Sequence, residues 1–159
     1  MASVTIKNAD RLLKRLNNIA NTDVYDTMVK ATNMVHGQAK QLAPADTGNL
    51  RGSIHQEVKK KSNTVEGRVF TNVEYAPYVE FGTGSKGDGT YPYNVEGLNL
   101  TYRSTPWVYH DEKEDKFIYT TGQVAQPYMY PALKMNEKYI KSLFKTEVKA
   151  KIDSQCKGG

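Results

Sequence analysis

Apolar residues alternate with polar ones at Val4 and Ile6, then recur at helical spacing at Leu12, Leu13, Leu16 and Ile19. This pattern predicts a short strand followed by a short helix that Asp10 can cap. Asn21-Thr22-Asp23 supplies the cap of a longer second helix, in which Val24, Met28, Ala31, Val35, Ala39 and Leu42 form one core-facing stripe. Pro44 limits that helix, because a proline pushes the preceding residue out of the helical region. In Asp46-Thr47-Gly48-Asn49-Leu50, a carboxylate or hydroxyl can accept from the first free amides of a brief helical turn and aim Leu50 inward. The same amides, with Arg51, offer an alternative grip on an anion.

From Ser53 the period changes to two. Ile54, Gln56 and Val58 share one face of an extended segment and His55, Glu57 and Lys59 the other, before a turn marked by Lys59-Lys60-Lys61-Ser62-Asn63. Val65, Gly67 and Val69, alternating with Glu66, Arg68 and Phe70, predict a returning strand paired antiparallel to the first. The chain then enters Tyr75-Ala76-Pro77-Tyr78-Val79-Glu80-Phe81-Gly82-Thr83-Gly84, where aromatics can anchor a loop and the glycines permit unusual backbone angles.

Residues 85–120 differ in character and read as an inserted arm, rich in tyrosine and carrying the single tryptophan. Leu98, Leu100 and Tyr102 suggest a strand edge. Trp107-Val108-Tyr109 and Phe117-Ile118-Tyr119 flank the charged run Asp111-Glu112-Lys113-Glu114-Asp115-Lys116 as two strands around a solvated turn. Aromatics of this kind are favoured at interfaces, so the arm is expected to contact other subunits. After Pro127 a final amphipathic helix is expected, with Leu133, Ile140, Leu143, Phe144, Val148 and Ile152 close to one face. Lys134, Lys138, Lys141, Lys145 and Lys149 lie away from it. Pro131 suits its first turn. The sum is an α+β chain: a small antiparallel sheet against a long central helix and a C-terminal helix, with a projecting hairpin insertion. The expected organisation is one domain over residues 1–159.

Three punctuated blocks occur in order: Ala43-Pro44-Ala45-Asp46-Thr47-Gly48-Asn49-Leu50, the 75–84 segment, and Gln126-Pro127-Tyr128-Met129-Tyr130-Pro131-Ala132-Leu133. Together they resemble the small neck and tail-completion proteins of tailed bacteriophages, which carry Pro-x-Asp-Thr-Gly-x-Leu, Tyr-Ala-x-Tyr-x-Glu-x-Gly-Thr and Pro-aromatic-x-x-Pro-Ala blocks. The Trp-containing hairpin resembles a longer variety of the family, from phages of Gram-positive hosts. The resemblance implies a siphovirus-type virion protein assembled in the host cytoplasm and acting in assembly rather than chemistry. It implies a homo-oligomeric ring, a hexamer, where the capsid connector meets the tail. Its partners would be head-closure, tail-terminator or tail-tube proteins. Expected interface residues are Tyr75, Tyr78, Glu80, Phe81, Gly82, Thr83, Gly84, Trp107 and Tyr109, while Lys59, Lys60 and Lys61 are candidates to face DNA.

Composition narrows the alternatives. The 159 residues carry 22 Lys and Arg against 17 Asp and Glu, a net charge of +5 without the concentrated stripe of a dedicated nucleic-acid binder. A mean hydropathy of −0.65 implies a thin core and a surface free for water or partners. No run approaches the roughly 20 apolar residues of a membrane span, and a signal peptide is not expected. The lone Cys156 sits in a polar tail and excludes an internal disulfide framework.

The competing class is a small basic DNA-binding protein or metal-dependent nuclease. Asp46 with Glu57 and Lys59 loosely imitates two metal-holding carboxylates and a charge-stabilising lysine. On a solvated strand, Glu57 and Lys59 would equally form an ion pair. His36, His55 and His110 are scattered without ligand-like spacing. No catalytic residue, metal or cofactor is therefore expected.

Overall fold

The computed structural model describes residues 23–45, 48–62, 64–111 and 114–157. The strand and helix expected around Val4, Ile6, Leu12, Leu13, Leu16 and Ile19 lie outside those residues, as do Asp10, Asp46 and Thr47.

Helix α1 spans Tyr25–Leu42. The Asp23 carboxylate accepts the Tyr25 N–H at 2.8 Å, so the expected cap acts just outside the first turn. At the far end Ala43 turns to an extended conformation (ψ 133°), as the following proline requires. Its buried line runs through Thr27, Ala31, Thr32, Val35 and Ala39, whereas Leu42 is exposed. Two threonines thus occupy places that an apolar stripe would not nominate. Thr32 donates to the Met28 carbonyl at 2.8 Å and Thr27 to Glu147 at 2.9 Å, which satisfies their hydroxyls inside. Gly48, at φ 68°, leads into the single turn α2, Asn49–Gly52, which buries Leu50. Arg51 donates to the Ala43 carbonyl at 3.0 Å and so ties α2 back to the end of α1.

Strands β1, Ile54–Lys61, and β2, Thr64–Thr71, pair antiparallel with Ile54 opposite Thr71 and Lys61 opposite Thr64. The lysines expected in the turn, Lys59, Lys60 and Lys61, are therefore residues of β1. Ser62 takes the bend at φ 39°. Gly67 sits where β2 lies close against α1. A Cβ there would press on the Thr32 hydroxyl and the Met28 side chain, so the missing side chain sets the helix-to-strand distance.

After α3, Ala76–Phe81, and the short turn α4, Gly84–Gly87, residues 88–106 run without regular structure to the arm hairpin. That hairpin comprises β3, Trp107–Asp111, and β4, Lys116–Thr120, and is followed by the two-residue strand β5, Gly122–Gln123. The expected strand edge at Leu98, Leu100 and Tyr102 does not form. Instead this stretch is fixed by side chains, with Tyr102 Oη donating to the Phe81 carbonyl at 2.9 Å.

Helix α5, Met129–Lys157, continues through the polar tail that contains Cys156. It packs antiparallel to α1: Glu147 meets Thr27 and Lys30 at one end, and Lys151 donates to the Asp23 carbonyl. Ala132 joins Ala39 and Ala43 in the core at the other end. The core comprises Val35, Ala39, Ala43, Leu50, Ile54, Ala76, Tyr128 and Ala132, drawn from α1, α2, the first hairpin, α3 and the start of α5. Small residues at the α1–α5 contact let the two helices approach closely, which leaves a core that is thin, as the composition implied. The architecture is α+β with two small antiparallel sheets.

Candidate assembly surface

The 75–84 segment folds as the short helix α3 closed by Gly82, with Pro77 in its first turn where a missing amide is tolerated. So short a helix leaves its last carbonyls short of internal donors: the Gly82 N–H reaches Tyr78 at 3.0 Å, and remote groups supply the rest. Gln123 Nε2 donates to the Tyr78 carbonyl at 2.9 Å, the Gln126 amide to Val79 at 2.8 Å, and Tyr102 to Phe81. The arm's entry and exit are thereby both fastened to α3.

The glycines that follow are not a loose exit. Residues 82–87 cross 121–125 backbone to backbone, with bridges from Thr83 to Gln123 and from Gly84 to Gly122. Gly84 and Gly122 both have positive φ, 62° and 104°, and a Cβ on either would run into the opposing carbonyl of Thr121 or Thr83. The sequence signal was real, but its physical meaning is close approach rather than mobility.

Glu80 lies beneath this crossing and is only 6% exposed. Its carboxylate accepts three backbone amides at the start of α5: Tyr128 at 2.7 Å and Met129 at 2.9 Å on Oε2, and Tyr130 at 3.1 Å on Oε1. A buried anion at a helix N-terminus satisfies orphan donors and meets the positive end of the helix dipole. Its position also marks its surroundings. Burial, followed by the nearby Glu80 charge, pushes the phenols of Tyr91 and Tyr128 up to about 12. Rings of Phe81, Tyr91, Tyr93 and Tyr130 stack in series at centroid distances of 5.1, 5.6 and 5.0 Å, which pins the irregular chain to the body.

On the outer side, α3 and the arm enclose an open groove of about 1030 Å³. Tyr75, Tyr78, Phe81, Gly82, Thr83, Gly84, Trp107 and Tyr109 all line it. Eight of the nine expected interface residues, separated by over twenty positions in sequence, thus meet around one concavity, while Glu80 faces the other way. Of the aromatics that line the groove, Tyr78 and Tyr109 are the most open, at 57% and 45% exposure. Arg103 completes the wall with its guanidinium 5.5 Å from the Trp107 ring centroid. Tyr102, Arg103 and Gln123 were not picked out as site residues from sequence. Tyr102 was visible as a member of the expected 98–102 strand edge and of the arm's aromatic enrichment, not as a site residue.

The candidate DNA-facing lysines sit apart, on the first hairpin. Lys59 pairs with Glu57 at 2.9 Å, Lys60 with Asp23 at 2.7 Å and Lys61 with Glu66 at 3.6 Å. Alternation also sends Lys60 to the opposite face from Lys59 and Lys61. Glu57 and Lys59 hence take the ion-pair arrangement. His36 Nε2 donates to the Ile54 carbonyl at 3.0 Å, His55 packs near Phe70, and His110 pairs with Asp115 at 3.0 Å. Among the described residues no three His, Cys, Asp or Glu side chains converge as a metal site.

Residues 6–82 match a family model, HK97-gp10_like, described as "Bacteriophage HK97-gp10, putative tail-component". The match, over just under half of the chain, supports the resemblance to phage neck and tail-completion proteins and suggests a component of a phage tail. It includes the Asp46-Thr47-Gly48 block and reaches Gly82, so α3 lies within it and the arm beyond it. No match was found among curated proteins or among solved structures. A tail component is a virion protein that works against other phage structural proteins. Among the described residues no helix is long and apolar enough to cross a membrane.

Proposed function

We propose that this chain forms a ring, a hexamer by the family resemblance, in the neck or at the head-proximal end of a phage tail. There it completes the tail and joins it to the capsid connector. The observation that carries the reading is the aromatic groove. The 75–84 motif, most of which falls in the matched region, and an arm outside that region converge their outward side chains on one open concavity. Rigid aromatic side chains around a concavity suit protein contact, because they bury large areas at little entropic cost.

Within this reading, α3 and the glycine crossing are the rigid base and the hairpin is the element that reaches a neighbour or an adjoining ring. Domain 1–159 acts as one unit of the virion with the 85–120 arm as its variable part. Contact between Lys59, Lys60 or Lys61 and genomic DNA would require displacing a paired carboxylate, so DNA binding is secondary to protein contact here.

The test is deletion of the gene from its phage, with heads, tails and joined particles counted by electron microscopy of the lysate. Packed heads beside free tails are expected. Normal virions would overturn the proposal.

A further inference from the structure

The arm hairpin has two faces. Cross-strand partners share a face and alternate residues change it, so Val108, His110, Phe117 and Tyr119 stand together, with Val108 opposite Tyr119 and His110 opposite Phe117. Trp107 and Tyr109 occupy the reverse side and line the groove. On the outer face Val108, Phe117 and Tyr119 are 56%, 80% and 69% exposed. The connecting run 111–116, acidic by sequence and here called the acidic tip, holds four carboxylates against two lysines; among its described residues Glu114 pairs with Lys116 at 3.1 Å and Asp115 with His110 at 3.0 Å.

Helix α5 carries the complement. Met135 and Tyr139, one turn apart, are 65% and 58% exposed. Lys134 and Lys141 are both held by Glu137, at 2.9 and 2.6 Å. Lys138, Lys145 and Lys149, by contrast, are exposed and have no carboxylate within ion-pair distance among the described residues. The patch is apolar at its centre and positive along its flank.

Building on the ring reading, we propose that the outer face of one copy's arm docks on α5 of a second copy. Val108, Phe117 and Tyr119 cover Met135 and Tyr139, and the acidic tip meets Lys138, Lys145 and Lys149. The two patches are different surfaces of one chain, so the contact is head-to-tail, the kind that propagates around a ring. The charge pattern favours a second copy over nucleic acid, since the acidic tip and a phosphate backbone repel each other.

The test uses full-length chains in a Cys156→Ser background, Cys156 being the sole cysteine. Phe117→Cys and Met135→Cys variants are treated with a short bismaleimide, separately and mixed, while assembly is followed by mass photometry. A cross-linked dimer should form in the mixture and in neither variant alone. Lys138→Glu with Lys145→Glu should abolish it, and Glu114→Lys with Asp115→Lys on the other copy should restore it. Rings without the mixed cross-link overturn this contact and leave the ring reading standing; a chain that remains monomeric overturns both. Cross-linking within Phe117→Cys alone would indicate a symmetric arm-to-arm contact and also overturn the proposal. So would a lysine variant that loses DNA retention but assembles and cross-links normally.

Discussion

Glu80 Oε2 accepts the backbone N–H of Tyr128 at 2.7 Å, across 48 residues of chain. This bond, with those to Met129 and Tyr130, makes the motif helix α3 the N-terminal cap of the longest helix in the structure. The floor of the groove and the α1–α5 core consequently share one anchor. Glu80→Ala would strand three amides, all at least partly shielded, with a cost on the order of 3 kcal/mol. Glu80→Gln, which keeps an acceptor but loses the charge, should cost about half as much. Urea unfolding checks this through a lower midpoint at unchanged slope.

Gly122→Ala should loosen the fastening of the arm. The added Cβ meets the Thr83 carbonyl and the residue must hold φ 104°, so a cost of about 2 kcal/mol is expected. Gly89→Ala supplies the contrast, since its φ of 69° is also positive but near the left-handed helical region, and nothing lies within 4 Å of the added carbon. Hydrogen exchange at Gln123 and Ala125 should rise in the first variant only.

Alkaline titration should weaken the fold. The buried Tyr128 phenol has a pKa of about 12 against an ordinary 10.0. Above pH 10.0 the unfolded chain releases this proton and the folded chain keeps it, so stability falls as pH rises between those values. The expected slope from one such group is ~1.4 kcal/mol per pH unit. Tyr128→Phe should flatten that limb in thermal unfolding measured across the range.

An acid effect of opposite sign belongs to Glu147, whose pKa is lowered by its hydrogen bond to Lys30 and then by that to Thr27. Its contribution is present above the ordinary value of 4.5 and fades as pH falls through the lowered one. Because the pair is open to solvent, Glu147→Gln should remove only a small, salt-sensitive part of the acid transition, visible in thermal midpoints at low and high ionic strength.

Local chemistry made much of the fold legible. Period-two alternation from Ile54 to Phe70 gave the first hairpin, and Trp107-Val108-Tyr109 with Phe117-Ile118-Tyr119 gave the second. Pro44 marked the end of α1. What escaped depended on distant partners. Thr27 can be buried because the Glu147 carboxylate accepts a hydrogen bond from its hydroxyl, and no local pattern announces that. Glu80, set among aromatics at 75–84, looked like part of an outward surface until the start of α5 supplied three amides. Gly84 promised an unusual backbone angle locally and has one, at φ 62°, but the reason for it, the close crossing at Gly122, lies outside the motif. Leu98, Leu100 and Tyr102 alternate like a strand, yet Tyr102 spends its hydroxyl on the Phe81 carbonyl and the chain finds no ladder. The groove followed the same logic: its aromatic members were visible one by one, and their convergence was not.

The most direct measurement is complementation of the gene-deleted phage by Tyr78→Ala combined with Tyr109→Ala. Both side chains are largely exposed, so circular dichroism and thermal unfolding of the purified variant should match the parent. Electron microscopy should nevertheless show heads and tails unjoined, with joined particles reduced at least about tenfold, the effect of losing roughly 1.4 kcal/mol or more of contact energy. Joined, infectious particles at parental numbers would contradict the claim that the groove is the assembly surface.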